Sequence, residues 1–142
     1  SLEFGATHLV NASTEDVAAR IRDITNGLMA DYAFEAIGSV EAINQGIFST
    51  RRGGVIVAVG DAPPGSQVTI DAGYLHHDRV LMGCMNGSCY PRADVPKFVD
   101  LYMADKLKLD ELISHSFGLE EINTAFDLLE RGEVARAIIR YG

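Results

Sequence analysis

The chain has 142 residues, 47% hydrophobic and 23% charged, which suits one ordinary globular domain or parts of two. Twelve Lys and Arg face twenty Asp and Glu, a formal net charge of −8 that argues against nucleic acid or anionic lipid as a partner. No apolar run approaches the ~20 residues of a membrane helix and no signal pattern opens the chain, so no membrane partner and a cytoplasmic setting are expected.

In chain order, residues 7–11 (THLVN) read as a short strand. Ser13 and Thr14, with Glu15 and Asp16 behind them, predict a helix start by side-chain capping and by negative charge at the positive end of the dipole. Val17, Ile21 and Ile24 then share one face, and Gly27 stands just past the helix. Residues 31–37 (DYAFEAI) read as a second strand. Ser39 caps a helix with Val40, Ile43 and Ile47 on one side, closed by residues 51–54 (RRGG).

The run 55–59 (VIVAV) lacks polar alternation, so it predicts a strand buried on both faces, the sign of a central parallel strand under helices. Residues 60–65 (GDAPPG) form a loop. Residues 67–70 and 79–85 (RVLMGCM) are further strands, joined by a short helical link over 75–78. After Tyr90-Pro91 the texture changes. A helix with Val95, Phe98, Val99 and Tyr102 on one face precedes an irregular stretch, 106–116. A helix bearing Ile122, Ala125, Phe126 and Leu129 starts at Glu120-Glu121 and stops at Gly132, and residues 135–141 (ARAIIRY) end as a strand. Strand–helix alternation over the first part predicts a parallel α/β sheet with right-handed crossovers; the remainder is α+β in texture.

In open α/β sheets ligands bind beyond the carboxyl ends of the strands, which directs attention to Gly38, Gly60 and its loop, and residues 84–87. A glycine there admits a ligand to the main chain or merely turns the chain; on its own either reading stands. The phosphate-binding G-x-G-x-x-G loop, the G-x-x-x-x-G-K-[ST] loop, H-E-x-x-H and the G-x-S-x-G elbow do not occur in the sequence. Cys84 and Cys89 are too widely spaced for a zinc knuckle, and Cys84, in an apolar strand, is expected to be a buried, inert thiol in a reducing compartment. His76-His77-Asp78 alone has the composition of a metal cluster, but adjacent side chains on a helix diverge. Arg136 enters the final strand of an acid-rich chain; its guanidinium suits a phosphate or a surface ion pair.

Six segments in collinear order, 5–11 (GATHLVN), 30–38 (ADYAFEAIG), 53–60 (GGVIVAVG), 95–102 (VPKFVDLY), 106–113 (KLKLDELI) and 119–139, resemble the zinc-dependent medium-chain alcohol dehydrogenases. The nearest branch is that of the thiol-dependent formaldehyde dehydrogenases. The resemblance implies an α/β fold: a partial Rossmann-like parallel sheet with helices on both faces over residues 1–87, then an α+β return segment of the catalytic domain over residues 88–142. It implies hydride transfer between an alcohol or aldehyde and NAD, or NADP, with zinc bound outside this chain. Carried over by position, Ile37 and Gly38 flank the adenosine half of the coenzyme, the main chain of Val59 and Gly60 lies at the nicotinamide, that of Cys84 and Asn86 holds the carboxamide, and Arg136 meets the pyrophosphate. Asp61 stands where the family has a small apolar residue, and Asn86 where it is often apolar or aromatic.

The family's zinc ligands and phosphate loop lie upstream of the matching region, so the chain is expected to be cut from a longer one, as its Ser1-Leu2 start suggests, and to be inactive by itself. Lacking its sheet neighbours, it is expected to form a homodimer or higher oligomer by pairing of edge strands or by swapping its N-terminal segment. A stand-alone nucleotide-binding or dimerisation module and the zinc-free quinone reductases are the competing readings.

Overall fold

In a computed structural model describing residues 2–142, the apolar segments pair into two parallel sheets, one in each of two units, Ser1–Cys89 and Tyr90–Gly142. The mixed α/β architecture, parallel strands flanked by helices, is that expected from the sequence.

In the first unit α1 spans Val17–Ile24. Its cap is Asp16, whose carboxylate accepts from the Ala19 N–H at 3.0 Å, and not Ser13 or Thr14, which stay in the preceding turn. Asn26, at φ 52°, and Gly27 close the helix: Gly27 N–H reaches back to the Arg22 carbonyl and Asn26 N–H to that of Asp23. Residues 7–11 are not a strand, because no strand among the described residues runs beside them to take their hydrogen bonds.

Strand β1 (Ala30–Glu35), helix α2 (Val40–Ser49) and strand β2 (Thr50–Ala58) form a β–α–β unit. Ser39 caps α2, its hydroxyl accepting from Ala42 N–H at 3.3 Å. β2 starts earlier than its apolar run because three extra residues bulge out between the Ala30–Thr50 and Tyr32–Val55 pairs. Helix α3 (Ala72–Leu75) leads to β3 (Val80–Gly83), while residues 67–70 join no sheet: Val68 and Ile70 instead pack against the core as loop side chains.

The sheet order is β1-β2-β3, all parallel, so β2 is central and β1 and β3 are edges. The burial pattern agrees. Ile56 and Val57, on opposite faces of β2, are 1% and 8% exposed, as an unbroken apolar strand requires. Ile43 and Ile47 of α2 pack on Ile56 with Ala33, Ala58 and Leu81, so α2 covers one face of the sheet. On the alternate positions Tyr32, Phe34, Val80 and Met82 stay largely exposed.

The second unit holds α4 (Pro91–Met103), β4 (His115–Gly118), α5 (Ile122–Glu130) and β5 (Ala137–Arg140). β4 and β5 pair in parallel across α5. β4 falls in the stretch that reads as irregular. Its four residues (HSFG) are too few for a period to show, and its pairing with β5 determines it. Ala125 and Val134 are buried, and α5 carries Glu120 and Glu121 just ahead of it, where negative charge favours the helix dipole.

Candidate functional site

The carboxyl ends of β2 and β3 open into a cleft of about 450 Å³ lined by Ala58, Val59, Gly60, Asp61, Gly83, Cys84, Met85 and Asn86. Four of the seven residues singled out in the sequence, Val59, Gly60, Cys84 and Asn86, are thus brought together. Cys84 N–H donates to the Ala58 carbonyl at 2.9 Å, tying the two walls at their base. Asn86 and Gly87 continue the chain in a tight turn at φ 49° and 69°. Gly83 leaves open space: a Cβ there would meet nothing within 4 Å.

Ile37 and Gly38 are on the loop after β1, beside β2's exit loop. Gly38 and Gly60 cross with no room for a side chain. A Cβ on Gly60 would lie 2.0 Å from Gly38 N, and one on Gly38, at φ +85°, would lie 2.4 Å from the Asp61 carbonyl oxygen. The turning role of these glycines is therefore decided by backbone against backbone.

Sequence reasoning passed over Glu35, the residue that holds this crossing. Glu35 is 5% exposed at the end of β1. One carboxylate oxygen, Oε1, accepts from the N–H of Ile37 at 2.6 Å and Gly38 at 2.7 Å, with Ser39 at 3.4 Å. Its main-chain carbonyl accepts from Val59 N–H at 2.7 Å and Gly60 N–H at 3.0 Å. Burial pushes the carboxyl up, but the backbone N–H groups of Ile37, Gly38, Ser39 and Gly60 favour the anion more strongly and hold it below the usual range. Its other oxygen, Oε2, is buried without a partner among the described residues. The available signal was a lone carboxylate ending an apolar strand, three residues before a glycine.

Cys84 is not buried: both cysteines are partly exposed and in no disulfide, since β3 is an edge strand that ends one residue earlier and leaves the chain beyond Gly83 uncovered. Asp61 is an exposed carboxylate at the cleft. His76, His77 and Asp78 lie in the turn after α3, where His77 accepts Gly53 N–H through its main chain; among the described residues no group of three His, Cys, Asp or Glu could hold a metal.

Arg136 lies in the second unit, just before β5. Its main chain is fastened, N–H to Ser114 Oγ at 3.1 Å and carbonyl from Ser114 N–H at 3.0 Å, while the exposed guanidinium forms no ion pair among the described residues.

A match to the zinc-binding dehydrogenase family spans residues 1–104. Alcohol dehydrogenase class-3 from Cereibacter sphaeroides is 38% identical over 96% of this chain and 38% of that protein. S-(hydroxymethyl)glutathione dehydrogenase from Paracoccus denitrificans is 34% identical over 97% of this chain and 39% of that protein. The crystal structure of benzyl alcohol dehydrogenase from Acinetobacter calcoaceticus superposes with a TM-score of 0.89 at 32% identity, covering 99% of this chain and 39% of that one. The chain therefore spans under two-fifths of the length of these relatives.

Proposed function

The chain belongs to the zinc-binding dehydrogenase family, and from that premise we propose that it forms the nicotinamide-side portion of the coenzyme domain of an alcohol dehydrogenase. The observation that carries the reading is the cleft at the ends of β2 and β3, where main chain from Val59, Gly60, Cys84 and Asn86 converges. The N–H groups of Val59 and Gly60 are already committed to Glu35, so what these residues present to a ligand is main-chain oxygen. That suits the NH₂ of a carboxamide, and the space at Gly83 admits a planar ring.

In the whole enzyme the coenzyme supplies the hydride acceptor for an alcohol, or the donor for an aldehyde. The part played here is orientation: the main chain of Val59 and Gly60 lies at the nicotinamide, that of Cys84 and Asn86 holds its carboxamide, and Arg136 offers a bidentate cation to the pyrophosphate. The described residues do not suit zinc, and we place the metal on residues outside this chain. None of the residues assigned to the coenzyme discriminates NAD from NADP; NAD is the reading taken from the relatives' branch.

Exposed surface supports a larger assembly. The chain exposes 10807 Å², against about 8,600 Å² for two separate compact bodies of the units' sizes by the usual area–mass scaling. The excess on this one chain, roughly 2,000 Å², is more than the ~800 Å² each partner contributes to a standard interface. The unpaired outer edge of β1 and the apolar positions Tyr32 and Phe34 lie among that surface.

Titration of the chain with NAD, followed by calorimetry and by amide resonances, tests the reading. The expected result is about millimolar affinity or weaker, since the chain carries no glycine-rich phosphate loop, with perturbations at Val59, Gly60, Cys84 and Asn86. NAD that binds while leaving those amides unmoved would refute the assignment.

A further inference from the structure

We infer that Glu35 is a positioning residue for the cleft, locking the loops after β1 and β2 into the crossing that sets the β2 wall. The inference rests on the cleft being the nicotinamide site, but its structural half stands on contacts alone.

Four of the residues assigned to the coenzyme donate their N–H groups to Glu35: Ile37 and Gly38 to its carboxylate, at 2.6 and 2.7 Å, and Val59 and Gly60 to its main-chain carbonyl, at 2.7 and 3.0 Å. The crossing has no slack, because Gly38 and Gly60 meet backbone to backbone. A displacement of one loop is therefore passed to the other. It is passed onward to the opposite wall as well, since Cys84 N–H is bonded to the Ala58 carbonyl, immediately before Val59.

The carboxylate is suited to this by its burial and its charge. Hydrogen bonds to an ionised acceptor are about twice as strong as neutral ones. A glutamine keeps an acceptor oxygen within reach of Ile37 and Gly38 but loses the charge and places an NH₂ in the buried, unpartnered position of Oε2. Graded loosening is expected, smaller in Glu35→Gln and larger in Glu35→Ala.

The test compares amide spectra of the 142-residue chain as wild type, Glu35→Gln and Ser39→Ala, each also titrated with NAD. Ser39→Ala removes the neighbouring helix cap and so reports lost stability without lost positioning. In Glu35→Gln the amides of Ile37 and Gly38 should move together with those of Val59, Gly60 and Asn86, and NAD affinity should fall roughly five-fold; Ser39→Ala should leave the Val59, Gly60 and Asn86 amides and the affinity in place. If Glu35→Gln does not fold, acidification of the wild type supplies the same readout: the same five amides should follow one titration. Movement confined to Ile37 and Gly38, with Val59, Gly60 and Asn86 still, would overturn the inference and leave Glu35 a local turn residue. If the five amides move together but NAD perturbs none of them in the wild type, the coupling stands and the nicotinamide assignment falls.

Discussion

Replacing Gly60 with alanine puts a methyl group where the structure has backbone. The new Cβ would lie 2.0 Å from Gly38 N and 2.7 Å from Gly38 Cα and the Ile37 carbonyl carbon, where real Cβ contacts below 3.0 Å are essentially absent. Gly60 is not among the residues at positive φ, so the substitution is not confounded by backbone strain. The loops must part by about an ångström, a shift of the size that overpacked cores accommodate at about 1–3 kcal/mol. Such a shift takes the 3.0 Å bond from Gly60 N–H to the Glu35 carbonyl out of range and stretches the 2.7 Å bond from Gly38 to the carboxylate, at about 1.5–3 kcal/mol for a bond to a charged group. The expected loss is about 3–6 kcal/mol, a large part of the 5–15 kcal/mol typical of a whole domain. Gly83→Ala is the matched control. Its Cβ meets nothing within 4 Å, so stability should hold or rise by about 0.5–1 kcal/mol while the cleft narrows. Equilibrium urea unfolding measures both. A Gly60→Ala variant within about 1 kcal/mol of wild type would refute the crossing as the determinant of the loop geometry.

Asp61→Asn removes a carboxylate from the cleft; the cationic oxidised nicotinamide should lose affinity relative to the neutral reduced form by roughly three-fold, measured as the ratio of NAD to NADH dissociation constants. The folded-state value of Glu35 is depressed, so its contribution to stability is present above the ordinary glutamate pKa and is lost as pH falls through the folded value; urea midpoints should drop below about pH 4.3, and drop less in Glu35→Gln. Sedimentation should show self-association through exposed edges, and a stable, well-folded monomer would count against it. Nicotinamide, but not inorganic phosphate, should perturb the amides of Val59, Gly60 and Asn86.

The β1–α2–β2 core was legible because its signals are local and redundant. Ser39 caps, Ile43 and Ile47 recur at helical spacing, and the unbroken apolar run after Gly54 marks the central strand, with Ile56 and Val57 buried on its two faces. The misreadings have non-local causes. Residues 7–11 have strand composition and no partner strand among the described residues, residues 67–70 pack as loop, and β4 exists because β5 lies beside it. The same division runs through the site. Glycines at strand ends marked the cleft, whereas Glu35 was hidden, because a carboxylate within DYAFEAI looks like an exposed polar position until three amide donors are seen to converge on it, with two more on its main-chain carbonyl.

That convergence also decides what the cleft can recognise. Anion sites at strand ends work by aiming free N–H groups at the ligand. Here the N–H groups of Ile37, Gly38, Val59 and Gly60 point to Glu35, and Asp61 adds a negative charge at the opening. A phosphate there would meet the Asp61 carboxylate and no uncommitted N–H of Val59, Gly60 or Cys84. An amide would meet acceptors for its NH₂, and a cationic ring would meet a favourable field. Under the proposed assignment the β2 wall thus selects by polarity. On the proposed assignment phosphate recognition falls to Arg136, whose exposed guanidinium forms no ion pair among the described residues.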